Sequence, residues 1–251
     1  MSLKGRVALV TGGGRGIGHA VALGLAGAGA DVAVNYRRDE EAARETVAEI
    51  TRLGTRGVAY QASVDVPADD EAMAEAVLRD FGCVDILVHN AGIASRGQTV
   101  VDTDPAEIER VWRTHAFGAF LLSKLLVPTM RTRPRGDVVM ISSVATVAWG
   151  PNSSPYNMAK ASLEALAWTL AKEERNHGIH VNVVAPGLVE TEMGRRLVRG
   201  AMGVDDIHTL DRGSPFGHVC RPDEVADVVL FLVSEQAGYL TGQKIVVDGG
   251  A

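Results

Sequence analysis

The chain reads as an α/β protein: a doubly wound parallel sheet with helices on both faces. Three observations predict it. Short β-branched runs alternate with amphipathic segments along the whole length. The runs are apolar almost without interruption, as in strands covered on both sides. A glycine-rich stretch, "TGGGRGIG", follows the first run directly and opens the first helix.

The strand-like runs, in order, are "RVALVTG", "DVAVNY", "GVAYQ", "DILVHN", "DVVMISS", "HVNVVAP" and "QKIVVDG". Helical patterns lie between them near residues 17–29, 39–53, 68–81, 105–130, 155–177 and 222–233. Asp39 ahead of "EEAARETVAEI" and Asp223 ahead of "EVADVVLFLV" read as helix starts, the second beside Pro222. Repeated β-α-β spacing with right-handed crossovers gives a parallel sheet. No Pro/Ser linker, low-complexity tract or fixed-period repeat appears, so residues 1–251 are read as one domain. Residues 188–215 break the rhythm without a clear strand. Such an insertion suits a substrate loop of one or two short helices.

Composition narrows the class. Hydrophobic residues make up 46%, enough for a sizeable core, and 28 glycines with only 5% aromatics favour close helix-on-sheet packing. The net charge of -6, with no dense basic tract, argues against a nucleic-acid partner. No apolar segment reaches bilayer-spanning length, and the N-terminus has no signal-peptide pattern. Cys83 and Cys220 form no C-x-x-C motif and read as reduced thiols of a cytoplasmic protein. His177, His180, His208 and His218 lack a metal-ligand spacing, so no metal is expected.

The glycine loop is spaced Gly12-x-x-x-Gly16-x-Gly18. Without a Cβ the backbone can approach a phosphate, and the free N–H groups and dipole of the following helix face the anion. Gly18 would let that helix lie close to the sheet. Gly12, Arg15, Gly16, Ile17 and Gly18 are the candidate cofactor contacts. The end of the second strand selects the nucleotide: an acid there bonds the ribose 2′-OH of NAD, and a cation accepts the 2′-phosphate of NADP. The residues are "NYRRDE". Tyr36 and Arg37 occupy that end, Arg38 follows, and Arg15 adds a cation, whereas Asp39 and Glu40 suit the helix cap. A guanidinium fork matches a phosphate, so NADP is expected over NAD.

In "YNMAK", Tyr156 and Lys160 stand four apart and share a helix face. A phenol alone, with a pKa of about 10, is a poor base at neutral pH. A nearby ammonium lowers that value, and the tuned group can give a proton to a carbonyl oxygen or take it back. The amine can also hydrogen-bond a nicotinamide ribose. Ser143, from "ISS" at the carboxyl end of the fifth strand, could orient the same oxygen.

Together with "HNAG", "NVVAPGLVET" and "YLTGQKIVVDGG", these pieces resemble the short-chain dehydrogenase/reductase family over essentially the full length. The resemblance implies a Rossmann-type fold with a seven-stranded parallel sheet, assembled as a homotetramer or homodimer. It implies Ser143, Tyr156 and Lys160 as the catalytic set. It implies adenine-side contacts from Ser63 and Val64, backbone contacts from Asn90, Ala91 and Gly92, and Pro186, Gly187, Val189 and Thr191 beside the nicotinamide. Three positions depart from the family pattern. His89 replaces an asparagine, and Ser63 replaces an acid near the adenine. In "RTHAFGAF", His115 stands where the family has a catalytic asparagine, which helps hold a bent helix and a water leading from the lysine. Imidazole hydrogen-bonds and titrates near neutrality. His115 either enters the proton relay or replaces the asparagine in packing, with the water held by backbone.

The expected function is an NADPH-dependent carbonyl reductase acting on a small-molecule ketone, most like 3-oxoacyl-(acyl carrier protein) reductases. Sugar, steroid and other secondary alcohols stay open as substrates. The rival from another class is a low-turnover nucleotide-binding sensor or assembly protein. Arg131, Arg133 and Arg135 in "MRTRPRG" could dock an acidic acyl carrier protein, though a solvated loop is the favoured reading.

Overall fold

A computed structural model describes residues 2–250; Met1 and Ala251, the ends of the expected 1–251 domain, lie outside the described residues. The strands are β1 (Val7–Val10), β2 (Asp31–Tyr36), β3 (Gly57–Gln61), β4 (Ile86–His89), β5 (Gly136–Ile141), β6 (Ile179–Pro186) and β7 (Lys244–Val247). They form one sheet in the order β3-β2-β1-β4-β5-β6-β7, and every neighbouring pair is parallel. The chain winds outward from β1 to β3, then returns to place β4 on the other side of β1. The carboxyl ends of β1 and β4 therefore open the crevice where doubly wound sheets bind ligands.

The helices are α1 (Gly16–Gly27), α2 (Glu40–Arg52), α3 (Pro67–Phe81), α4 (Pro105–Trp112), α5 (Gly118–Met130), α6 (Ala145–Ala148), α7 (Ser154–Glu174), α8 (Glu192–Met202) and α9 (Pro222–Leu232). Successive strand residues point to opposite faces. Ala8, Val10, Val88 and Val139 pack with Val21, Leu25, Val225 and Val229 of α1 and α9. Leu9, Leu87, Met140 and Val183 pack with Val77, Leu122 and Leu163 of α3, α5 and α7. Covering on both faces explains the continuous apolar runs.

The helix starts and lengths differ in places from expectation. Asp39 caps α2, its carboxylate accepting from the Ala42 N–H. Helix α9 instead starts at Pro222, with Arg221 as its N-cap and Asp223 inside the first turn. Proline suits the first position because its missing N–H would have no partner there. Glu224 folds back to accept the Arg221 N–H at 2.7 Å. The pattern over 105–130 is two helices separated by a π turn, Arg113–Phe117. That wider turn inserts a residue and displaces the side chains within it. Helix α7 ends at Glu174, and a 3₁₀ turn covers Arg175–His177. The 188–215 segment contains α8 and a 3₁₀ turn, Ile207–Gly213, closed around Val198, Ile207 and Val219.

The arginine run is an exposed turn, as expected, but its guanidinium groups are ion-paired within the chain. Arg131 pairs with Glu174 at 2.6 Å, Arg133 with Asp85 at 2.6 Å and Arg135 with Asp137 at 2.8 Å, and all three acids are buried. Arg6 adds a bond to Asp137 at 2.5 Å and one to the Asp85 carbonyl at 3.1 Å. Asp85 and Asp137 lie at the amino ends of β4 and β5, so most of this cluster stitches the sheet at the end opposite the crevice. None of the three guanidinium groups is a free cation for an acidic partner. Among the described residues, no helix is long and apolar enough to cross a membrane.

Candidate active site

The glycine loop is held from two sides. Asn90 Nδ2 donates to the carbonyls of Thr11 and Gly12 at 2.9 and 3.1 Å. The Thr11 hydroxyl accepts the N–H groups of Asn90 and Ala91, both at 3.0 Å. From β2, Asn35 Oδ1 accepts the Gly12 N–H at 3.1 Å while its Nδ2 donates to the Ala62 carbonyl at 3.1 Å. Gly12 and Gly16 have φ of +62° and +56°, where a side chain is strained. Gly18 is needed for closeness: a Cβ there would lie 2.3 Å from the Gly12 oxygen. Helix α1 has no side-chain cap and no acid in its first turn, so its leading N–H groups remain for an anion. Positive-φ glycines and an uncapped helix fit a dinucleotide pyrophosphate.

Around this loop the predicted contacts sort unevenly. Arg37 and Arg38 are exposed, and neither guanidinium is hydrogen-bonded or ion-paired among the described residues. Tyr36 ends β2, half-buried against one apolar layer, and Ile17 packs in the same layer from α1. Arg15 turns instead to Glu192 at the start of α8, 2.8 Å away. The Ser63 hydroxyl donates to Asp65 at 2.5 Å, and its N–H donates to Asp69 at 3.0 Å, so that hydroxyl is already committed. Val64 is buried, and a Cβ on Gly118 would meet its carbonyl at 2.2 Å, which fixes the start of α5 against it. Pro186 ends β6, and the Gly187 N–H donates to Val247 at 2.9 Å. Val189 bridges to Cys220. Thr191 caps α8 through the Gly194 N–H at 3.0 Å, and its methyl lies 3.2 Å from where a Gly16 Cβ would stand. The entry to α8 therefore overlies the glycine loop.

Ser143 lies two residues beyond the end of β5, and Tyr156 and Lys160 lie on the first turns of α7. Lys160 is buried and donates to the Ile141 carbonyl at 2.6 Å, with its nitrogen 5.7 Å from the centre of the half-buried Tyr156 ring. Burial pushes the Lys160 amine down to about 7, against the pull of Glu164. Burial also pushes the Tyr156 phenol up, with the Ser143 hydroxyl acting the other way. The expected lowering by the ammonium is not found: desolvation of the phenolate dominates, and only Ser143 opposes it. Tyr156 thus stays protonated at neutral pH.

Both unexpected histidines are neutral. His89 is buried, its Nε2 3.1 Å from Ser123 Oγ, and burial pushes its pKa down to about 3. His115 lies in the π turn with its ring edge-on to Tyr156, centroids 5.3 Å apart. Burial first, and then the Lys160 charge, hold it well below the usual imidazole range. The ring fits because Gly92 has no side chain: a Cβ there would be 2.5 Å from His115 Cε1.

Sequence reasoning missed the support of Ser143. Glu164, buried on α7, accepts from Ser142 at 2.6 Å and Thr146 at 2.7 Å, and pairs with Lys244 at 2.9 Å. Its i+8 spacing from Tyr156, continuing the Tyr156–Lys160 face, was a usable signal. Thr11 and Asn35 were also missed, although polar residues inside otherwise apolar strand runs mark them out.

A family model described as enoyl-(acyl carrier protein) reductase matches residues 12–251. With the sheet order, glycine loop and Ser-Tyr-Lys cluster, this defines the class: the chain belongs to the short-chain dehydrogenase/reductase family, oxidoreductases that interconvert carbonyl and alcohol groups with a nicotinamide cofactor. Versicolorin reductase 1 of Aspergillus parasiticus is 38% identical over 258 residues, covering 99% of this chain and 97% of that protein. The 3-oxoacyl-[acyl-carrier-protein] reductase FabG of Escherichia coli is 36% identical over 250 residues, covering 100% and 98%. A 7α-hydroxysteroid dehydrogenase solved with NADH and 7-oxo glycochenodeoxycholic acid superposes with a TM-score of 0.92 at 30% identity, covering 100% of this chain and 95% of that one.

Proposed function

We propose that the protein works as a single domain that uses NADPH to reduce an apolar ketone, a 3-oxoacyl thioester being the first candidate. The observation that carries this reading is the buried Lys160 amine beneath the Tyr156 ring, beside Ser143 at the crevice. A nicotinamide dinucleotide, when bound, would supply a hydride to the carbonyl carbon. Ser143 donates a hydrogen bond to the carbonyl oxygen and fixes its direction. Tyr156 transfers its phenolic proton to that oxygen, leaving a phenolate that the Lys160 ammonium stabilises until solvent returns the proton. Gly12, Gly16, Ile17 and Gly18 would hold the pyrophosphate. Val64 and the Ser63 backbone would border the adenine, and Asn90, Ala91 and Gly92 would contact the cofactor through backbone. Pro186, Gly187, Val189 and Thr191 would border the nicotinamide.

NADP is favoured by the free guanidinium groups of Arg37 and Arg38 beside Tyr36. A relative solved with NADH means that the family alone does not choose the nucleotide, so the reading rests on the β2 end. Met193 and Leu197 are 40% and 59% exposed on α8, which begins at the cleft, and apolar side chains meeting a substrate there would favour an acyl chain over a polyol. Trp112, Phe120, Met158 and Trp168 are exposed on α4, α5 and α7 and would be covered in a homotetramer or homodimer. The two unpaired thiols suit the cytoplasm. Oxidation of NADPH and NADH is to be followed over 3-oxoacyl thioesters, small ketones, steroids and sugars, with Tyr156→Phe as control. Turnover lost in the variant supports the reading. Nucleotide binding without turnover across the panel would replace it with the sensor reading.

A further inference from the structure

Beside His115 lies a cavity of about 10 Å³ whose lining also includes Thr11, His89 and Thr114. That volume matches one water, and a water needs two or more polar partners to be held. His115 is 3% exposed, and its Nδ1 has no protein partner. Its Nε2 has two: the Ile93 N–H points at it from 3.1 Å, and the Ile93 carbonyl lies at 2.9 Å. Only one can be used at a time. If Nε2 accepts, the ring proton sits on Nδ1 and needs an acceptor. If Nε2 donates, Nδ1 is a lone pair and needs a donor. Water satisfies either case. Thr114 Oγ1 donates to Arg110 at 3.0 Å and keeps lone-pair capacity for the same water.

We propose that one ordered water occupies this cavity, bonded to His115 Nδ1 and Thr114 Oγ1, and that His115 so anchored is a positioning residue for Tyr156. Geometry supports it. The π turn and the missing Cβ of Gly92 seat the ring, Ile93 grips one nitrogen, and the ring stands T-shaped to that of Tyr156, the planes at 85° and the centroids 5.3 Å apart. The water would fix the remaining nitrogen and so the tilt of the ring. The charged groups acting on His115 are Lys160 and Arg110, and both oppose its protonation. Of the two roles that the sequence left open, a neutral ring suits the packing replacement rather than the proton relay, and orientation of Tyr156 is added to it.

The inference rests on Tyr156 being the proton donor. Full turnover in Tyr156→Phe would sink that reading; loss in Tyr156→Phe with none in His115→Phe would sink this one alone. His115→Phe keeps an aromatic edge but has no Nδ1, whereas His115→Asn supplies an amide that can both donate and accept. The expected result is kcat down roughly tenfold or more in His115→Phe, with KM for the ketone within about twofold, and substantial recovery in His115→Asn. Wild-type kcat in His115→Phe overturns the proposal. In the unmodified protein, ¹⁵N shifts of His115 should stay those of a neutral ring from about pH 6 to 9, and a high-resolution crystal structure should show solvent density at Nδ1. A ring that titrates in that range, or a cavity without density, also overturns it.

Discussion

The Asn90 side-chain amide donates to the carbonyls of both Thr11 and Gly12, so the end of β4 holds the glycine loop in shape. Asn90→Ala leaves those two acceptors unpaired. The expected outcome is nucleotide affinity about tenfold weaker, read by fluorescence titration, with a stability loss of about 1–2 kcal/mol in urea unfolding. Unchanged affinity would mean that the loop holds itself.

Lys160 sets a pH dependence. Burial brings its amine to about 7, so in the free protein the ammonium is present below that pH and lost above it. Since kcat/KM reports the free enzyme, reduction should fall as pH rises through about 7. Lys160→Arg, which does not titrate there, should lower the rate but remove that limb of the profile. A limb that persists in the variant assigns it to another group.

Arg37 and Arg38 should read the nucleotide. Arg37→Ser with Arg38→Ser is expected to lower kcat/KM for NADPH by tenfold or more, on the order of the loss of two charge-assisted bonds, and to leave NADH within about twofold. Equal losses for both nucleotides would point to general damage at the end of β2.

Asp70 on α3 is fully buried, and neither carboxylate oxygen has a partner. Burial pushes its pKa up to about 8, with Asp69 and Asp65 adding to the rise. An unfolded aspartate titrates near 3.9. Below about pH 4 the group is protonated in both states, and its contribution to stability is fully present. It is lost as pH rises through about 8, where the folded chain must bury a charge. Asp70→Asn should therefore raise Tm by several degrees at about pH 8.5 and by little at about pH 5. Equal shifts at both pH values in thermal scans would remove ionisation as the cause.

Much of the frame was legible because the inner strands are covered on both faces and the helices on one, while the edge strands β3 and β7 are only partly covered. The glycine loop and the Tyr156–Lys160 face were legible because local spacing alone defines them. The π turn was not legible from periodicity, since the apolar pattern runs through 105–130; only the family resemblance, through the bent helix at His115, pointed to a break there. Arg133 and Asp85 are 48 positions apart, and Arg15 and Glu192 are 177 apart, so exposure could not be read from local charge. The depressed Lys160 amine follows from burial, and its partner is a main-chain oxygen that no residue identity reveals.

Val198, Ile207 and Val219 close on one another rather than on either large apolar layer. The span bordering the cleft is thus a graftable cartridge, seated on a scaffold whose far rim is riveted by arginine–aspartate pairs. Transplanting that span from a relative should redirect which ketone is accepted while the host keeps its melting temperature.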